Sequence, residues 1–134
     1  MKRPLLTVLG ALAAWGVTAQ AHHSLAGVYD SSRPVTVEAV VTEFHFVNPH
    51  PFVMAEVKER DGTARPYRLE MDNRRELVDV GMTNETFQRG DRIVVTGSVG
   101  RTERTHLYVR RLERAADGFT YEQVGTRPRV GKRS

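Results

Sequence analysis

Two histidine-containing segments could bind a metal ion. His22 and His23 are adjacent near the start of the chain, and His50 lies between two prolines in the segment 48–51. If proteolysis makes His22 the first residue, its α-amine and imidazole can chelate one ion, and a further imidazole adds a third nitrogen. Nitrogen ligands in a tetragonal arrangement suit Cu(II) best. The plainer interpretation is that His22 and His23 form a polar, flexible start and that His50 only hydrogen-bonds a strand end.

The remaining polar candidates lie on predicted strands. Glu70 is out of phase with its apolar neighbours, so it points away from the core and pairs with a nearby arginine, or it faces a cleft beside a histidine if the faces are reversed. His45 and His106 are weaker ligand candidates on strands. From the residues alone, the metal-binding hypothesis, with copper as the ion, involves His22, His23 and His50.

Several classes of chemistry are excluded. The 134 residues contain no cysteine, so disulfides, Cys-ligated zinc and thiolate nucleophiles are absent. The sequence has no nucleophile elbow, phosphate loop or HExxH helix. Ser24 follows His23 only in sequence, which indicates no triad geometry. We therefore predict no catalytic residue and no organic cofactor site, and an enzyme is the least favoured class.

The first 21 residues have the organisation of a secretory signal peptide. Lys2 and Arg3 precede an uncharged apolar run over residues 5–17, and Ala19 and Ala21 occupy positions −3 and −1 of a cleavage site. The run is short for a bilayer span, which needs roughly 20 residues. We predict cleavage after Ala21 and a periplasmic or secreted protein with no transmembrane segment after processing. Cleavage after Ala19 and an uncleaved anchor are the alternatives.

Positive charge is concentrated at the two ends of the chain. There are 20 Lys and Arg against 16 Asp and Glu, a formal net charge of +4. The signal segment is basic, and residues 125–134 contain four basic residues and no acidic one. The body between them is close to neutral, which argues against a nucleic-acid partner. Residues 125–134 are predicted to be a disordered basic tail with weak attraction to anionic lipid.

Strands and one short helix are predicted to position these side chains. Residues 22–33 form an extended arm. From Pro34 apolar and polar residues alternate, and the phase changes near Glu43, which predicts one long strand with a bulge or bend before the 48–51 corner. Four further strands are predicted at 52–57, 67–71, 92–98 and 105–112, and one helix at 74–78 lies between the strands 67–71 and 92–98. A short extra strand is predicted at 119–124.

This order is typical of an all-β fold with one short helix, specifically a five-stranded OB-like Greek-key barrel over residues 34–124. A small antiparallel sandwich is the structural alternative. Such a barrel needs only a small core, which a domain of this size can supply.

The residues also resemble a family of small exported bacterial proteins of unknown function. The resemblance covers about residues 22–114 and rests on these matches: His22-His23-Ser24, Pro34-Val35-Thr36, Asn48-Pro49-His50, Glu70-Met71, Gly81-Met82-Thr83 and Gly90-Asp91. Family members tend to have tryptophans around the Asn-Pro-His corner, where this chain has Phe46 and Phe52. The resemblance implies export and a barrel fold, and it brings no activity. It also suggests that His22, His23, His50 and Glu70 belong together, which makes them the four candidate ligands of the copper site.

Two classes of function follow. The first is binding of a transition metal for storage, delivery or sensing. The second is an envelope module that binds a partner protein or a small ligand, with structural histidines and no metal. An exposed apolar groove around Phe46, Phe52 and Tyr67 would mark the second class. The sequence specifies neither the oligomeric state nor a partner.

Overall fold

The computed structural model describes residues 25–133. Within that range the chain forms seven strands and the six-residue helix α1. Their bounds are β1 Tyr29–His45, β2 Phe52–Lys58, β3 Ala64–Glu70, α1 Arg74–Asp79, β4 Arg92–Gly100, β5 His106–Arg114, β6 Phe119–Val124 and β7 Arg127–Lys132. Residues 25–28 add one helical turn ahead of β1. The predicted signal peptide, His22 and His23 lie outside the described residues.

One sheet contains all seven strands, in the order β3-β2-β1-β4-β5-β6-β7. Neighbours in this order are antiparallel, and β3 also pairs with β5 in parallel from Arg68↔His106 to Glu70↔Tyr108. The first five strands therefore have the pairing order predicted for an OB-like fold. The all-β prediction with one short helix is confirmed.

The core consists of side chains from one face of each strand, as the two-residue period requires. Val53, Leu69, Val95 and Leu107 are completely buried, and Leu77 of α1 packs into the same cluster. Burial of each such side chain stabilises the fold by about 1.5–3 kcal/mol. Because β3 ends in this core, its last residues and the segment leading to α1 are held in fixed positions.

The start of β1 differs from the prediction. Pairing with β4 begins at Tyr29↔Gly100, shifts register between Asp30 and Pro34, and then continues to Val40↔Arg92. Part of the predicted arm is therefore strand, because the register shift lets residues on both sides of it pair with β4. The predicted change of phase within β1 is confirmed, since its register against β2 shifts between Val41 and Glu43.

The C-terminal tail was predicted wrongly as disordered. Residues 127–132 are β7, which pairs with β6 from Phe119↔Lys132 to Val124↔Arg127, so the sheet has one strand more than the five predicted for the barrel and the predicted extra strand at 119–124. Phe119 and Tyr121 are buried, and Gly125 adopts a φ of 62° in the tight turn between the two strands. The hairpin orders the tail because its first strand contributes to the core.

No helix within residues 25–133 has both the length and the apolar character needed to cross a membrane.

Candidate functional site

A cleft of about 590 Å³ lies beside His50. Its walls come from the start of the described chain, the segment between β3 and α1, β5, and the turn of the β6–β7 hairpin. The side chains that matter most for its chemistry are Leu25, Tyr29, His50, Asp72, Glu76 and Tyr108. A cavity of this volume has the size of a small-molecule or cofactor site.

His50 is held at the rim in a defined orientation. Its Nδ1 lies 3.0 Å from the carbonyl oxygen of Met71, and its side chain is 28% exposed. A carbonyl oxygen can only accept a hydrogen bond, so Nδ1 carries the proton and Nε2 keeps its lone pair in the neutral ring. The corner itself is fixed because Pro51 is fully buried and its carbonyl accepts the backbone N–H of Met71 at 2.9 Å. The arrangement offers one directed nitrogen ligand.

Glu70 lies between His50 and the buried Tyr29. Its Oε1 lies 4.0 Å from His50 Nδ1, and its Oε2 accepts a hydrogen bond of 2.5 Å from the hydroxyl of Tyr29. Burial first, and then this hydrogen bond, raise the pKa of Tyr29. Burial, followed by the charges of Asp72 and Glu70, raises the pKa of Tyr108, whose ring centroid lies 5.7 Å from that of Tyr29. Both phenols are therefore protonated at neutral pH, and Glu70 contacts two residues that line the cleft, Tyr29 and His50.

The start of the described chain is tied to the same place. Leu25 and Ala26 line the cleft, and the Nε of Arg101 donates a hydrogen bond of 3.0 Å to the Ala26 carbonyl. The backbone N–H of Arg101 also donates to the carbonyl of Val28 at 2.8 Å. His22 is three residues before Leu25, a stretch that spans at most about 11 Å when extended.

Asp72 and Glu76 form an acidic wall that the sequence analysis did not single out as a site. Asp72 is 8% exposed, and it accepts hydrogen bonds from the backbone N–H of Asn73 at 2.7 Å and from Nε2 of Gln123 at 2.6 Å. Glu76 Oε2 is shielded from solvent and has no hydrogen-bond partner among the described residues. Burial and then contact with Asp72 raise the pKa of Glu76. Asp72 directly precedes Asn73, the N-cap of α1, whose side chain accepts the N–H of Glu76 at 3.0 Å.

Within residues 25–133, no group of three or more histidine, aspartate or glutamate side chains is arranged to hold a metal ion. Of the predicted ligands, the structure brings His50 and Glu70 together, whereas His22 and His23 lie outside the described residues.

The other two histidines lie away from the cleft. His45 stacks on Phe52 with ring centroids 4.4 Å apart, and its Nε2 lies 3.1 Å from Glu43 Oε2. His106 begins β5 opposite Arg68. Neither histidine lines the cleft.

The aromatic groove that would mark a protein-binding module is not formed by the expected side chains. Phe46, Phe52 and Tyr67 are each half-buried. The Arg74 guanidinium lies 4.8 Å from the ring centroid of Phe46, and that of Arg68 lies 3.8 Å from the ring centroid of Phe52. The Tyr67 hydroxyl donates a hydrogen bond of 2.9 Å to a glutamate carboxylate. Two of the three aromatic rings therefore have an arginine guanidinium against them.

Comparison with known proteins gives a family and no activity. Residues 11–108 match DUF6152, a family of unknown function. The match includes His22, His23, His50 and Glu70 and ends within β5, so the β6–β7 hairpin lies beyond it. No curated protein matches the sequence. Since the matched region spans most of the chain, this protein belongs to the DUF6152 family.

Proposed function

We propose that this protein is exported and binds a transition-metal ion, specifically copper, through its processed N-terminus and His50. His22 supplies an α-amine and an imidazole, and His50 supplies Nε2. His23 and Glu70 act as auxiliary ligands or hold the primary ligands in place. Storage, delivery or sensing of the metal follows from such a site more directly than catalysis does.

The orientation of His50 is the observation that carries the proposal. Its Nδ1–H donates a hydrogen bond to the Met71 carbonyl, and Glu70 Oε1 lies 4.0 Å from the same nitrogen. Histidines that bind metals usually donate their other ring N–H to a carbonyl or carboxylate group, which fixes the ring and raises its basicity. The ring of His50 donates its Nδ1–H to a carbonyl in this way, and its side chain lines a cleft.

The attachment of the chain start provides the second support. Arg101 holds the backbone at Ala26 and Val28, and Leu25 lines the cleft that contains His50. Since three extended residues span about 11 Å, a first residue at position 22 has the length to reach the same cleft. Three nitrogens from His22 and His50 would form a T-shaped set, the geometry suited to Cu(II).

Export is proposed from the sequence of residues 1–21. A basic start, an uncharged apolar run and Ala19-Gln20-Ala21 direct a chain to secretion and to cleavage before His22. N-terminal sequencing of the protein isolated from the producing cell tests this step. A first residue at His22 supports the proposal, and an intact residue 1 contradicts it.

Copper titration tests the metal site. The protein starting at His22 is compared with a version carrying one additional glycine before His22, which moves the α-amine out of the chelate ring while leaving every side chain unchanged. We expect one-to-one Cu(II) binding by the first protein and a loss of affinity of about 100-fold or more in the second, a change at least as large as those seen when a supporting residue of a metal site is removed. Equal affinities would contradict the use of the amine.

A further inference from the structure

We propose that the outer edge of β7 binds an extended peptide with acidic side chains at alternate positions, as an added antiparallel strand of the sheet. This edge comprises residues 129–133, on the side of β7 that faces away from β6. The copper proposal concerns the cleft beside His50, so the inference goes beyond it and does not depend on it. The family match ends at residue 108, so the edge lies outside the matched region.

The first argument is that β7 has a free edge. It is the last strand of the sheet and pairs with β6 alone among the described strands, whereas β3 at the other end also pairs with β5. The N–H of Arg133 donates to the Gly118 carbonyl at 2.7 Å, so residue 133 points its backbone groups towards that side. Because this direction alternates along an antiparallel strand, Val130 and Lys132 point their N–H and carbonyl groups away from β6. The edge therefore offers two donor–acceptor pairs to a further strand.

The second argument is the charge along this edge. Residues 125–133 contain four basic side chains and no acidic one. Three of them belong to the edge and are exposed, namely Arg129, Lys132 and Arg133. No ion pair within 4.0 Å involves Arg129 or Lys132 in the part of the chain that the structure describes. The edge therefore favours a strand of negative charge.

The third argument is the alternation of the two faces of β7. Val130 packs against the core, so the side chains of Arg129 and Arg133 lie on the opposite, solvent-facing side. Directly opposite residues of an antiparallel pair share one face of the sheet. An added strand therefore places apolar residues opposite Val130 and Lys132, and its acidic residues come next to Arg129 and Arg133. Guanidinium groups bind carboxylates through paired hydrogen bonds, which suits arginine to this contact.

Two features of β7 restrict what can add to it. Residue 128 is a proline and lacks the N–H that would point outward, so the added segment is short. Pairing with β7 of a second copy would bring basic side chains next to one another, and such like charges oppose edge-to-edge contact. A strand with acidic residues replaces this repulsion with attraction. The edge is thus selective by charge.

A flat anionic membrane fits this surface less well than a peptide does. The face that carries the arginines also carries carboxylates. Glu122 lies directly opposite Arg129 in the β6–β7 pair. The carboxylate of Glu113 lies 3.1 Å from the guanidinium of Arg133. A single strand at the edge contacts the arginines while it stays clear of β5 and β6, which a membrane surface cannot do.

Nuclear magnetic resonance of the metal-free chain that begins at residue 22 tests the proposal. The probe is the acetylated and amidated peptide Glu-Val-Glu-Val-Glu, titrated into isotope-labelled protein. One control peptide, Gln-Val-Gln-Val-Gln, has the same shape without the charge, and another, Val-Val-Glu-Glu-Glu, has the same composition without the alternation. We expect the probe to shift the amide signals of Val130 and Lys132 and to bind at least about fivefold more tightly than either control.

Methylation of the peptide nitrogens tests whether the probe adds as a strand. In the proposed register the valine N–H groups point towards β7, and the glutamate N–H groups point away from it. We therefore expect N-methylation of both valines to abolish binding, because a methylated nitrogen cannot donate. N-methylation of two glutamates is the matched control and should change the affinity less than about threefold.

Protein variants test the contribution of the arginines. The double variant Arg129→Gln, Arg133→Gln should bind the probe about tenfold more weakly, since it loses two exposed contacts to carboxylates. The double variant Arg60→Gln, Arg104→Gln removes two exposed arginines from the β2–β3 and β4–β5 connections and should keep the parent affinity. Thermal unfolding of both variants verifies that they are folded.

The outcomes decide the proposal. A preference for the alternating peptide, its loss on valine methylation and its weakening in the Arg129 and Arg133 variant together support an added acidic strand. Equal binding of both acidic peptides, unaffected by methylation, would mean attraction by net charge alone and would overturn the proposal. So would a stronger response of the edge amides to vesicles rich in phosphatidylglycerol. If no peptide shifts these signals, the charges of β7 serve only to prevent edge pairing, and the proposal is wrong.

Discussion

Two histidine–glutamate pairs occur in the described structure, and they differ in distance, in exposure and in the groups that hold them. His45 and Glu43 lie closer together, at 3.1 Å, with side chains 32% and 62% exposed. His50 and Glu70 are 4.0 Å apart but only 28% and 18% exposed. The exposed pair involves neighbours on one strand. The partly buried pair is fixed by groups from elsewhere in the fold, namely the Met71 carbonyl and the hydroxyl of Tyr29.

The difference teaches that proximity of a histidine to a glutamate does not make a site. An exposed ion pair is screened by water and contributes little free energy. A ring held by a buried backbone acceptor has one tautomer and one free nitrogen, which is the property a ligand requires. Only the His50–Glu70 pair meets this condition.

The largest expected difference between the two pairs is the effect of removing the histidine on the affinity for Cu(II). We expect His50→Ala to weaken Cu(II) binding by the processed chain about 100-fold, because one of three nitrogen ligands is lost. His45→Ala removes a histidine of similar exposure outside the cleft and should change the affinity less than threefold, on the order of experimental scatter. Calorimetric titration of both variants measures this. Equal losses would remove the distinction between the two pairs.

The hydroxyl of Tyr29 should contribute more to the stability of the fold than the hydroxyl of Tyr67, which lies outside the cleft. Tyr29→Phe removes a hydrogen bond to a partly buried carboxylate, and we expect the free energy of unfolding to fall by about 2 kcal/mol. Tyr67→Phe removes the hydrogen bond to Glu59 at a more exposed position and should cost less than about 1 kcal/mol. Urea unfolding of the metal-free proteins provides both values. A larger loss for Tyr67→Phe would reverse the comparison.

Removal of the carboxylate charge should affect metal binding only at the cleft. Glu70→Gln keeps the side-chain shape but weakens the electrostatic support of His50, so we expect a loss of Cu(II) affinity of about tenfold. The same change at the exposed pair, Glu43→Gln, should leave the affinity unchanged. Competition with a coloured copper chelator resolves differences of this size. An unaltered affinity in Glu70→Gln would assign Glu70 a structural role alone.

The tyrosines should ionise in an order that follows the same division. Burial is the largest cause that raises the pKa of Tyr29, Tyr108 and Tyr67, and Tyr67 is the one of the three that does not line the cleft. Because their folded pKa values are raised, these groups stabilise the fold below the unfolded value of about 10, and that stability is lost as pH rises above it. Absorbance at 295 nm should therefore report Tyr67 first. Ionisation of the two cleft phenols near pH 10 in folded protein would contradict the described burial.

Periodicity predicted the local structure well where one face of a strand is buried. Alternation placed Leu69 in the core and Glu70 on the opposite face, as the structure has them. It failed at β7, because four of its residues are charged or proline and the strand lies at the edge of the sheet, where no apolar period is required.

The site itself was only partly predictable. Two prolines around His50 indicated a rigid corner, and the family resemblance suggested that Glu70 belongs with it. The hydrogen bond between Tyr29 and Glu70 joins residues 41 positions apart, and no spacing rule reports such a contact. The sequence did not indicate that Asp72 and Glu76 line a cleft. Acidic residues before and within the first turn of a helix commonly serve as caps or interact with the helix dipole, so they do not by themselves predict a site.

Pulsed electron paramagnetic resonance of the processed protein with one equivalent of Cu(II) tests the central claim most directly. The remote nitrogen of each bound imidazole gives a characteristic modulation, so the number of histidine ligands can be counted. We predict two bound imidazoles in the parent chain, one in His50→Ala and two in His45→Ala. Two imidazoles in His50→Ala, or a single one in the parent chain, would contradict the assignment of His50 as a copper ligand.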